Sequence, residues 1–359
     1  MSRIWPSPGN LLAVHAARHH HLGMRFPLPP DEPSTTDRWS SPEFEAELRT
    51  WVEAAVGPVR LEQYKMRGWA TVLKAYAGEG LFWAKQNCSL NLFEASLVDE
   101  IGQLEPDRVV PLRAVDRVRG LLLMPDQGEV YGSGHMDLGS WCEIVLQWAQ
   151  LQRALLPHTD RLTAAGVHTM CPEDFEELVV ERADALNALP LGDPRRLADE
   201  AVPAIRAGLP ELRRSVEVVG ALGLPKALNH NDLHGGNVFA EPGEVMRFFD
   251  LGDAMLTDPL GVLLIPLGIL ADELDCAPDD ARLGQVAEAL VEVWSDVAPA
   301  RELRAALPHA LRLARLARHE SWLRATPPMS PAERADWGMA ASAWLARVPD
   351  PPLLTSAAS

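Results

Sequence analysis

The spacing of apolar and polar residues changes character along this chain. Apolar residues recur at helical spacing between Phe44 and Val52, which predicts a helix over residues 42–56. Short apolar runs separated by turn residues such as Gly78 and Gly80 follow, and this pattern is typical of strands. The runs predict, in chain order, strands over 71–76 and 81–86, a helix over 92–104, and strands over 109–115 and 120–124. This first part therefore predicts a small lobe built on a mixed sheet.

From about residue 136 onward, helical spacing dominates. Long amphipathic stretches predict helices over 138–156, 172–189 and 283–294. A last helix begins at a capping box, Ser330 to Glu333, and would carry Trp337 and Trp344 on one face. The stretch 125–134, which contains Pro and Gly, separates the two parts. We therefore predict an α+β, bilobal fold that consists of an irregular arm over residues 1–42, a sheet lobe over 43–128 and a mainly helical lobe over 129–359.

Composition excludes several classes of protein and partner. With 33 basic and 50 acidic residues the formal net charge is −17, which disfavours nucleic acid and anionic membranes as partners. The longest apolar stretch, Leu260 to Ala271, contains a proline and is too short to span a bilayer. The N-terminus lacks the pattern of a secretory signal, and the four cysteines form no C-x-x-C pair. We therefore expect a cytoplasmic protein without disulfides or a zinc site.

Two compositional details bear on chemistry. Only four of the basic residues are lysines: Lys65, Lys74, Lys85 and Lys226. Because the chain uses Arg by default, a Lys at a suggestive position indicates that its compact ammonium is needed there. The arm contains His19-His20-His21, which could bind a metal, but a solvated tail is the favoured interpretation.

A hairpin predicted around residues 238–249 brings two oxygen ligands together. Two apolar runs, 238–240 and 245–249, flank the turn-forming residues 241–244. Asn237 precedes the first run and Asp250 follows the second, so antiparallel pairing would make them neighbours. An amide oxygen beside a carboxylate is a plausible Mg²⁺ site, since this ion takes one or two protein oxygens together with substrate phosphates.

The residues just before this hairpin have the spacing of a phosphoryl-transfer loop. His230, Asp232 and Asn237 form an H-x-D-x-x-x-x-N pattern, in which the Asp orients an acceptor hydroxyl and takes its proton. The alternative is that these are turn and cap residues, but all three at this spacing beside Asp250 make a coincidence improbable. The chain contains neither G-x-x-x-x-G-K-[ST] nor G-x-S-x-G, which argues against a Walker-type NTPase and the commonest serine hydrolases.

These segments resemble the aminoglycoside phosphotransferase family, whose members share the bilobal fold of protein kinases. The loop 230–237 is similar to the family's catalytic loop, residues 248–254 to its metal-binding segment, and Asp258-Pro259 to the turn after it. The resemblance is weaker upstream and extends over roughly residues 65–325. It implies ATP and Mg²⁺ as cofactors, a small-molecule hydroxyl as acceptor, a nucleotide-binding first lobe, and an acceptor site in the helical lobe.

The resemblance also assigns the nucleotide-binding residues. Lys85 followed by Glu94 is similar to the family's nucleotide lysine and the helix glutamate that holds it, and residues 119–128 are similar to the strand that enters the inter-lobe hinge. Leu123 and Met124 are the hinge residues expected at the nucleotide. As alternatives, Lys85 could be a strand-end charge and Glu94 part of a capping box.

The roles of the other polar residues in the loop follow from their neighbours. We group His230 with Asp232 as a catalytic candidate, but expect it to brace the loop through a hydrogen bond rather than to transfer protons. Asp253 could assist the metal, although bonding to the loop backbone is favoured. Asn231 stands where many relatives have Gly, and we expect its side chain to point outward.

Two features keep other interpretations open. Residues 67–71 stand where a glycine-rich phosphate loop is expected, which motivates the alternative of a catalytically silent nucleotide-binding protein. A protein kinase is disfavoured because no A-P-E segment follows Asp250.

Residues 271–300 hold eight acidic side chains against one Arg. These side chains would favour a cationic acceptor if they rimmed the pocket. The preferred interpretation is a solvated helix face.

Overall fold

A five-stranded antiparallel sheet dominates the first part of the chain. The computed structural model describes residues 25–132, 136–240 and 243–355. Its elements up to the end of the sheet are α1 (Thr35–Trp39), α2 (Pro42–Val56), β1 (Val59–Arg67), β2 (Ala70–Ala77), β3 (Gly80–Asn87), α3 (Phe93–Leu104), β4 (Ala114–Asp116) and β5 (Leu121–Pro125). The strand order is β1-β2-β3-β5-β4, and every neighbouring pair is antiparallel.

The two faces of this sheet pack against different partners. Phe44, Leu48 and Val52 on α2 cover one face, where they meet Ala84 and Leu123 of the central strands. The next residue of each strand points to the other face because strand side chains alternate. That second face is turned towards α3 and the helical lobe, and it carries Lys85.

Strand β1 is missing from the sequence-based prediction. Most of its residues are exposed or half-buried, as expected for the edge strand that it is. Its polar run from Glu62 to Lys65 therefore lacks the alternation by which strands are recognised.

The predicted strand over 109–115 is wrong in its bounds, because only residues 114–116 form a strand. Val109 instead makes an isolated bridge to Phe248.

The second part of the chain is mainly helical. Its elements are α4 (Leu138–Leu155), α5 (Thr159–Ala164), β6 (His168–Thr169), α6 (Phe175–Asn187), α7 (Ala201–Ala221), β7 (Ala227–Asn229), β8 (Val238–Phe239), β9 (Arg247–Phe248), β10 (Met255–Thr257), α8 (Leu264–Leu274), α9 (Ala281–Trp294), α10 (Ala300–Ala325), α11 (Pro331–Trp337) and α12 (Met339–Ala346). Helix α4 packs on α9, and α10 packs on α7 and α12. Trp141, Trp148 and Trp294 lie fully buried in this core.

The predicted α+β architecture, with a small sheet lobe and a larger helical lobe, is confirmed. The sheet is antiparallel throughout rather than mixed as predicted. The division at residue 128 stays a prediction. No helix of the described ranges is both long and apolar enough to cross a membrane.

Two details of the predicted organisation are wrong. The arm over residues 1–42 is not wholly irregular, because α1 forms within it, capped by the Ser34 hydroxyl and anchored by the buried Trp39. The earlier part of the arm, with His19 to His21, lies outside the described residues. The last helix begins at the predicted capping box but is interrupted at Gly338, so Trp337 and Trp344 lie on different helices.

The segment joining the lobes lies directly against the predicted catalytic loop. The amide of Gly132 donates to the carbonyl of Gly235 over 3.0 Å. A Cβ on Gly235 would come within 2.8 Å of the Gly132 Cα, so the contact requires glycine on both sides. Backbone packing therefore fixes the loop relative to the inter-lobe segment.

We predict that Gly235→Ala lowers the free energy of unfolding by about 1–3 kcal/mol, because the added methyl group must push the two backbones apart. Urea denaturation followed by circular dichroism measures this. Gly220→Ala is the matched control, since nothing lies within 4 Å of that position in α7. The control should be neutral or stabilising by up to about 1 kcal/mol. Equal urea midpoints for Gly235→Ala and the unmodified protein would contradict the prediction.

Candidate active site

The hairpin of β8 and β9 places Asn237 and Asp250 side by side. Val238 pairs with Phe248, and the Phe249 amide donates to the Asn237 carbonyl over 3.1 Å. Asp250, the next residue, adopts a left-handed conformation with φ 59°. This conformation turns the chain sharply as it leaves the strand. The neighbourhood inferred from the sequence is thus present in the structure.

The loop before the hairpin is braced from below by His230. This side chain is fully buried and its Nε2 lies 3.0 Å from the Phe249 carbonyl, to which it donates. Its ring meets the indole of Trp148 edge to face at 5.0 Å. Burial lowers the pKa of His230, which favours the neutral ring. The expected hydrogen bond is therefore present and braces the loop, while a catalytic role of His230 stays a prediction.

Asn231 departs from the expected outward orientation. Its φ is 61°, in the region where glycine is favoured and Asn is tolerated, which explains how it stands in place of Gly. Its side chain is buried, and its Nδ2 donates to the Asp253 carbonyl over 3.0 Å. The prediction that it points outward is wrong, because the amide is needed to tie the loop to the segment after Asp250.

The side chain of Asn237 is oriented by the loop itself. Its Nδ2 donates to the carbonyl of Asp232 over 2.9 Å, which leaves the amide oxygen available as a ligand. The Asp250 side chain is 44% exposed, and its Oδ1 is paired with Lys85. One amide oxygen and one carboxylate oxygen suit Mg²⁺, which completes its coordination with water and phosphate oxygens. The residues present therefore fit the ion, whereas no cluster of three or more His, Cys, Asp or Glu side chains arranged for a metal occurs among the described residues.

Asp232 is held by an arginine of α10 that the sequence-based prediction did not include. The Arg318 guanidinium, from α10, donates to Asp232 Oδ1 over 2.9 Å and to Asp253 Oδ2 over 2.7 Å. Asp232 Oδ2 lies 3.8 Å from His234 Nε2. Burial by itself would raise the pKa of Asp232, but His234 and the charge of Arg318 outweigh it and lower that pKa to about 2. The carboxylate therefore stays ionised at neutral pH.

Lys85, itself buried, joins the two lobes through ion pairs with Glu94 and Asp250. Its Nζ lies 2.7 Å from Glu94 Oε2 and 2.6 Å from Asp250 Oδ1, and its side chain is only 9% exposed. Burial alone would lower the pKa of Lys85, but the two carboxylates raise it above its ordinary value. The ammonium is therefore charged and fixed between β3, α3 and the end of β9.

Glu94 is itself saturated with donors. The Leu251 amide donates to its Oε1 over 2.8 Å, and the Asn87 amide group donates to its Oε2. The alternative that Glu94 belongs to a capping box is wrong, because α3 has no side-chain cap and Asn91 instead accepts from Arg324 of α10. Its pairing with Lys85 is present, while its role towards a nucleotide stays a prediction.

The two predicted hinge residues differ in orientation. Leu123 is fully buried in the cluster under α2, on the sheet face opposite Lys85. Met124 is half-buried and packs on the side of the helical lobe. The structure therefore brings Met124, but not the Leu123 side chain, to the face that carries Lys85. Period-2 alternation places adjacent strand residues on opposite faces, so both side chains could not have reached one ligand.

The turn between β1 and β2 is docked on the helical lobe. Trp69 contacts Trp322 and Trp337 edge to face, with both ring centroids 5.5 Å away. The Gly68 carbonyl accepts from the Thr35 hydroxyl over 2.5 Å, and a Cβ on Gly68 would come within 2.9 Å of Met329. The turn that replaces a glycine-rich loop is thus held by packing.

The acidic stretch 271–300 lies on the outer surface of α8 and α9. Three of its carboxylates pair with arginines: Asp280 with Arg282, Glu288 with Arg304, and Asp296 with Arg153. The preferred interpretation of these residues as a solvated helix face agrees with this arrangement.

Comparison with known proteins agrees with this geometry. Residues 125–260, which include the catalytic loop and the β8–β9 hairpin, match the phosphotransferase enzyme family. This match confirms the predicted family resemblance. The matched residues are thus similar to those of a family of phosphotransferases, as the resemblance implies. No curated protein sequence matches the chain.

Solved structures show the same fold at low sequence identity. A macrolide 2′-phosphotransferase from Brachybacterium faecium is 16% identical with a TM-score of 0.52, and the alignment covers 87% of this chain and 99% of that one. An ethanolamine kinase from Plasmodium vivax is 10% identical with a TM-score of 0.55, covering 81% of this chain and 84% of that one. The predicted bilobal, kinase-like fold is confirmed.

Sequence reasoning missed the arginines of α10. Arg312, Arg315 and Arg318 recur at every third position and are all buried, with Arg324 further along the same helix. Charged residues spaced along an otherwise apolar helix face are a usable signal, since a buried guanidinium needs partners. That signal indicates buried partners for these arginines but does not identify them. Arg312 and Arg315 bind carbonyls of residues 347–351, whereas Arg318 and Arg324 bind the loops beneath the site.

We predict that the low pKa of Asp232 is measurable as a stability difference. A folded pKa of about 2 against an ordinary value of 3.8 stabilises the fold above pH 4, and this contribution is lost as the pH falls towards 2. Between pH 5 and pH 3 the unmodified protein should therefore lose about 1 kcal/mol more than Asp232→Asn. Urea midpoints at both pH values measure the loss.

Asp279→Asn is the control for this measurement, because Asp279 is exposed on the surface. It should retain the pH dependence of the unmodified protein. If Asp232→Asn also retained that dependence, the Arg318 pairing would not control the ionisation of Asp232.

Proposed function

We propose that this chain is an ATP- and Mg²⁺-dependent O-phosphotransferase that acts on a hydroxyl group of a small molecule. The observation that carries the proposal is the convergence of an ionised, partly exposed Asp232 with the Asn237–Asp250 pair and the charged Lys85. A structural ion-pair network alone would not require the free amide oxygen of Asn237 beside them.

Each residue has a distinct task in this proposal. Lys85, fixed by Glu94, binds the phosphates of the nucleotide. Asn237 and Asp250 would hold Mg²⁺, which neutralises charge on the transferring phosphoryl group. Asp232 orients the acceptor hydroxyl and accepts its proton at Oδ2, the oxygen not used by Arg318. The bond from the γ-phosphorus to the nucleotide oxygen breaks as the bond to the acceptor oxygen forms.

The low pKa of Asp232 limits its role as a base. A carboxylate with a pKa of about 2 takes a proton from a hydroxyl only late, when the bond to phosphorus is well formed. Its main contribution is therefore to hold the acceptor oxygen in line, which suits a loose transition state. Arg318 contributes by keeping Oδ1 occupied, so that one oxygen is presented to the acceptor.

The acceptor is proposed only as a small molecule with a hydroxyl group. A cationic, aminoglycoside-like acceptor remains an alternative within this class, because only three of the eight carboxylates in residues 271–300 pair with arginines of the described ranges. The competing proposal is a silent nucleotide-binding protein, and the observation that favours it is the docked β1–β2 turn around Trp69.

The test is phosphate transfer from ATP with Mg²⁺ to a panel of alcohols, sugars, aminoglycosides and macrolides. We predict that Asp232→Ala lowers kcat by about 10²–10⁴-fold, the range for loss of a positioned acid–base group, while ATP affinity is retained. Asp279→Ala, a change at an exposed position, should transfer phosphate at the unmodified rate.

Two outcomes would contradict this proposal. Equal turnover by Asp232→Ala and the unmodified protein would remove Asp232 from the reaction. Thermal stabilisation by ATP that ignores Mg²⁺, together with no transfer to any acceptor, would favour the silent protein instead.

A further inference from the structure

Lys65 of the edge strand β1 lies in line with Lys85 across the sheet. Lys65 pairs with Val72 on β2, and Val72 pairs with Lys85 on β3. Residues directly opposite each other on neighbouring strands point to the same face. Met66, the next residue, packs on the α2 side. Lys65 therefore faces the same side of the sheet as Lys85, two strands or about 10 Å away.

A β-bulge fixes the direction of Lys65. The register shifts between Gln63 and Lys65, so Tyr64 is the extra residue of β1. The Gln63 amide group donates to the Lys65 carbonyl over 2.7 Å and to the Val72 carbonyl over 3.0 Å. Bulges commonly re-aim a side chain next to a functional site, and here the effect is to aim Lys65.

The ammonium of Lys65 has no partner among the described residues, whereas that of Lys74 has two. Within the described ranges its exposed ammonium makes no ion pair or hydrogen bond. Lys74, on the same face, lies over the rings of Tyr64 and Trp83 at 5.1 and 5.2 Å. Lys65 has no partner in the part of the chain that the structure describes, while Lys74 is engaged by aromatic rings. Because the chain has only four lysines, an unpaired one at this position indicates that Lys65 binds a ligand.

The turn between β1 and β2 does not supply the phosphate contacts that a glycine-rich loop would make. In kinases a glycine-rich loop covers the phosphates with backbone N–H groups. Here the corresponding turn is held on the helical lobe by Gly68 and Trp69, against Met329 and two indoles. Because this turn is fixed by packing, it is not placed to cover the phosphates of a nucleotide. A donor on β1 would have to contact those phosphates instead.

We propose that Lys65 binds the terminal phosphates of the nucleoside triphosphate, in place of the glycine-rich loop that the chain lacks. The inference rests on the proposed function, because it presumes that a nucleotide occupies the cleft beside Lys85. A flexible four-carbon stem lets the ammonium follow the γ-phosphate, which a docked turn cannot do.

The test is isothermal titration calorimetry of ATP, ADP and adenosine with Mg²⁺. Lys65→Met should weaken ATP binding at least tenfold, weaken ADP binding less, and leave adenosine binding unchanged. Lys74→Met is the matched control, a lysine on the same face that is engaged by aromatic rings, and it should bind ATP within about twofold of the unmodified protein. Circular dichroism should show an unchanged fold, since Lys65 is exposed.

The outcomes separate this inference from the function on which it rests. If Lys85→Met loses ATP while Lys65→Met binds it normally, the Lys65 inference is overturned and the proposed function stands. Equal weakening of ATP and adenosine by Lys65→Met would also overturn it, because the effect would not depend on phosphate. If the unmodified protein binds no ATP, both proposals fail.

Discussion

The ion pairs that the buried Lys85 forms with the buried Glu94 and the partly exposed Asp250 are the interaction on which the rest of this structure depends. Removing an ammonium and a carboxylate from water costs several kcal/mol per ion, and only close pairing and further hydrogen bonds repay that cost. Lys85 and Glu94 are both less than a tenth exposed and fully paired. Because the three residues come from β3, α3 and the end of β9, the cluster forms only when sheet, helix and hairpin have assembled.

Helix α10 supplies the second set of constraints. Arg318 binds Asp232 and Asp253 at once, and Arg324 donates to Asn91, beside α3, and to the carbonyl of Gly252. One helix thus holds both the catalytic loop and the segment after Asp250 from below. The exposed Asp250 carboxylate and the free oxygens of Asp232 and Asn237 are then presented together on a rigid support, which is the arrangement that phosphoryl transfer demands.

The sequence predicted these features unevenly, for physical reasons. Amphipathic helices such as 42–56 and the hairpin around 238–249 were predictable because each depends on local spacing. The neighbourhood of Asn237 and Asp250 followed from antiparallel pairing alone. The pairing of Lys85 with Glu94 was suggested by family resemblance rather than by periodicity, and the structure shows the contact.

What could not be predicted depends on contacts between distant segments. Nothing in the local sequence shows that Arg318 reaches Asp232, 86 positions away, or that Trp69 docks against the indoles of α10 and α11. Strand β1 was missed because an edge strand needs no apolar alternation. The direction of Asn231 was misjudged because its role depends on the carbonyl of Asp253, which only the folded loop brings near.

The central claim is that the cleft beside Lys85 binds a nucleotide together with Mg²⁺ through Asp250. Its most direct test is the affinity for ATP measured by calorimetry with and without Mg²⁺, in the unmodified protein and in Asp250→Asn. Mg²⁺ should tighten ATP binding at least tenfold in the unmodified protein and have little effect in the variant. An ATP affinity that ignores Mg²⁺ in the unmodified protein, or an equal Mg²⁺ response in Asp250→Asn, would contradict it.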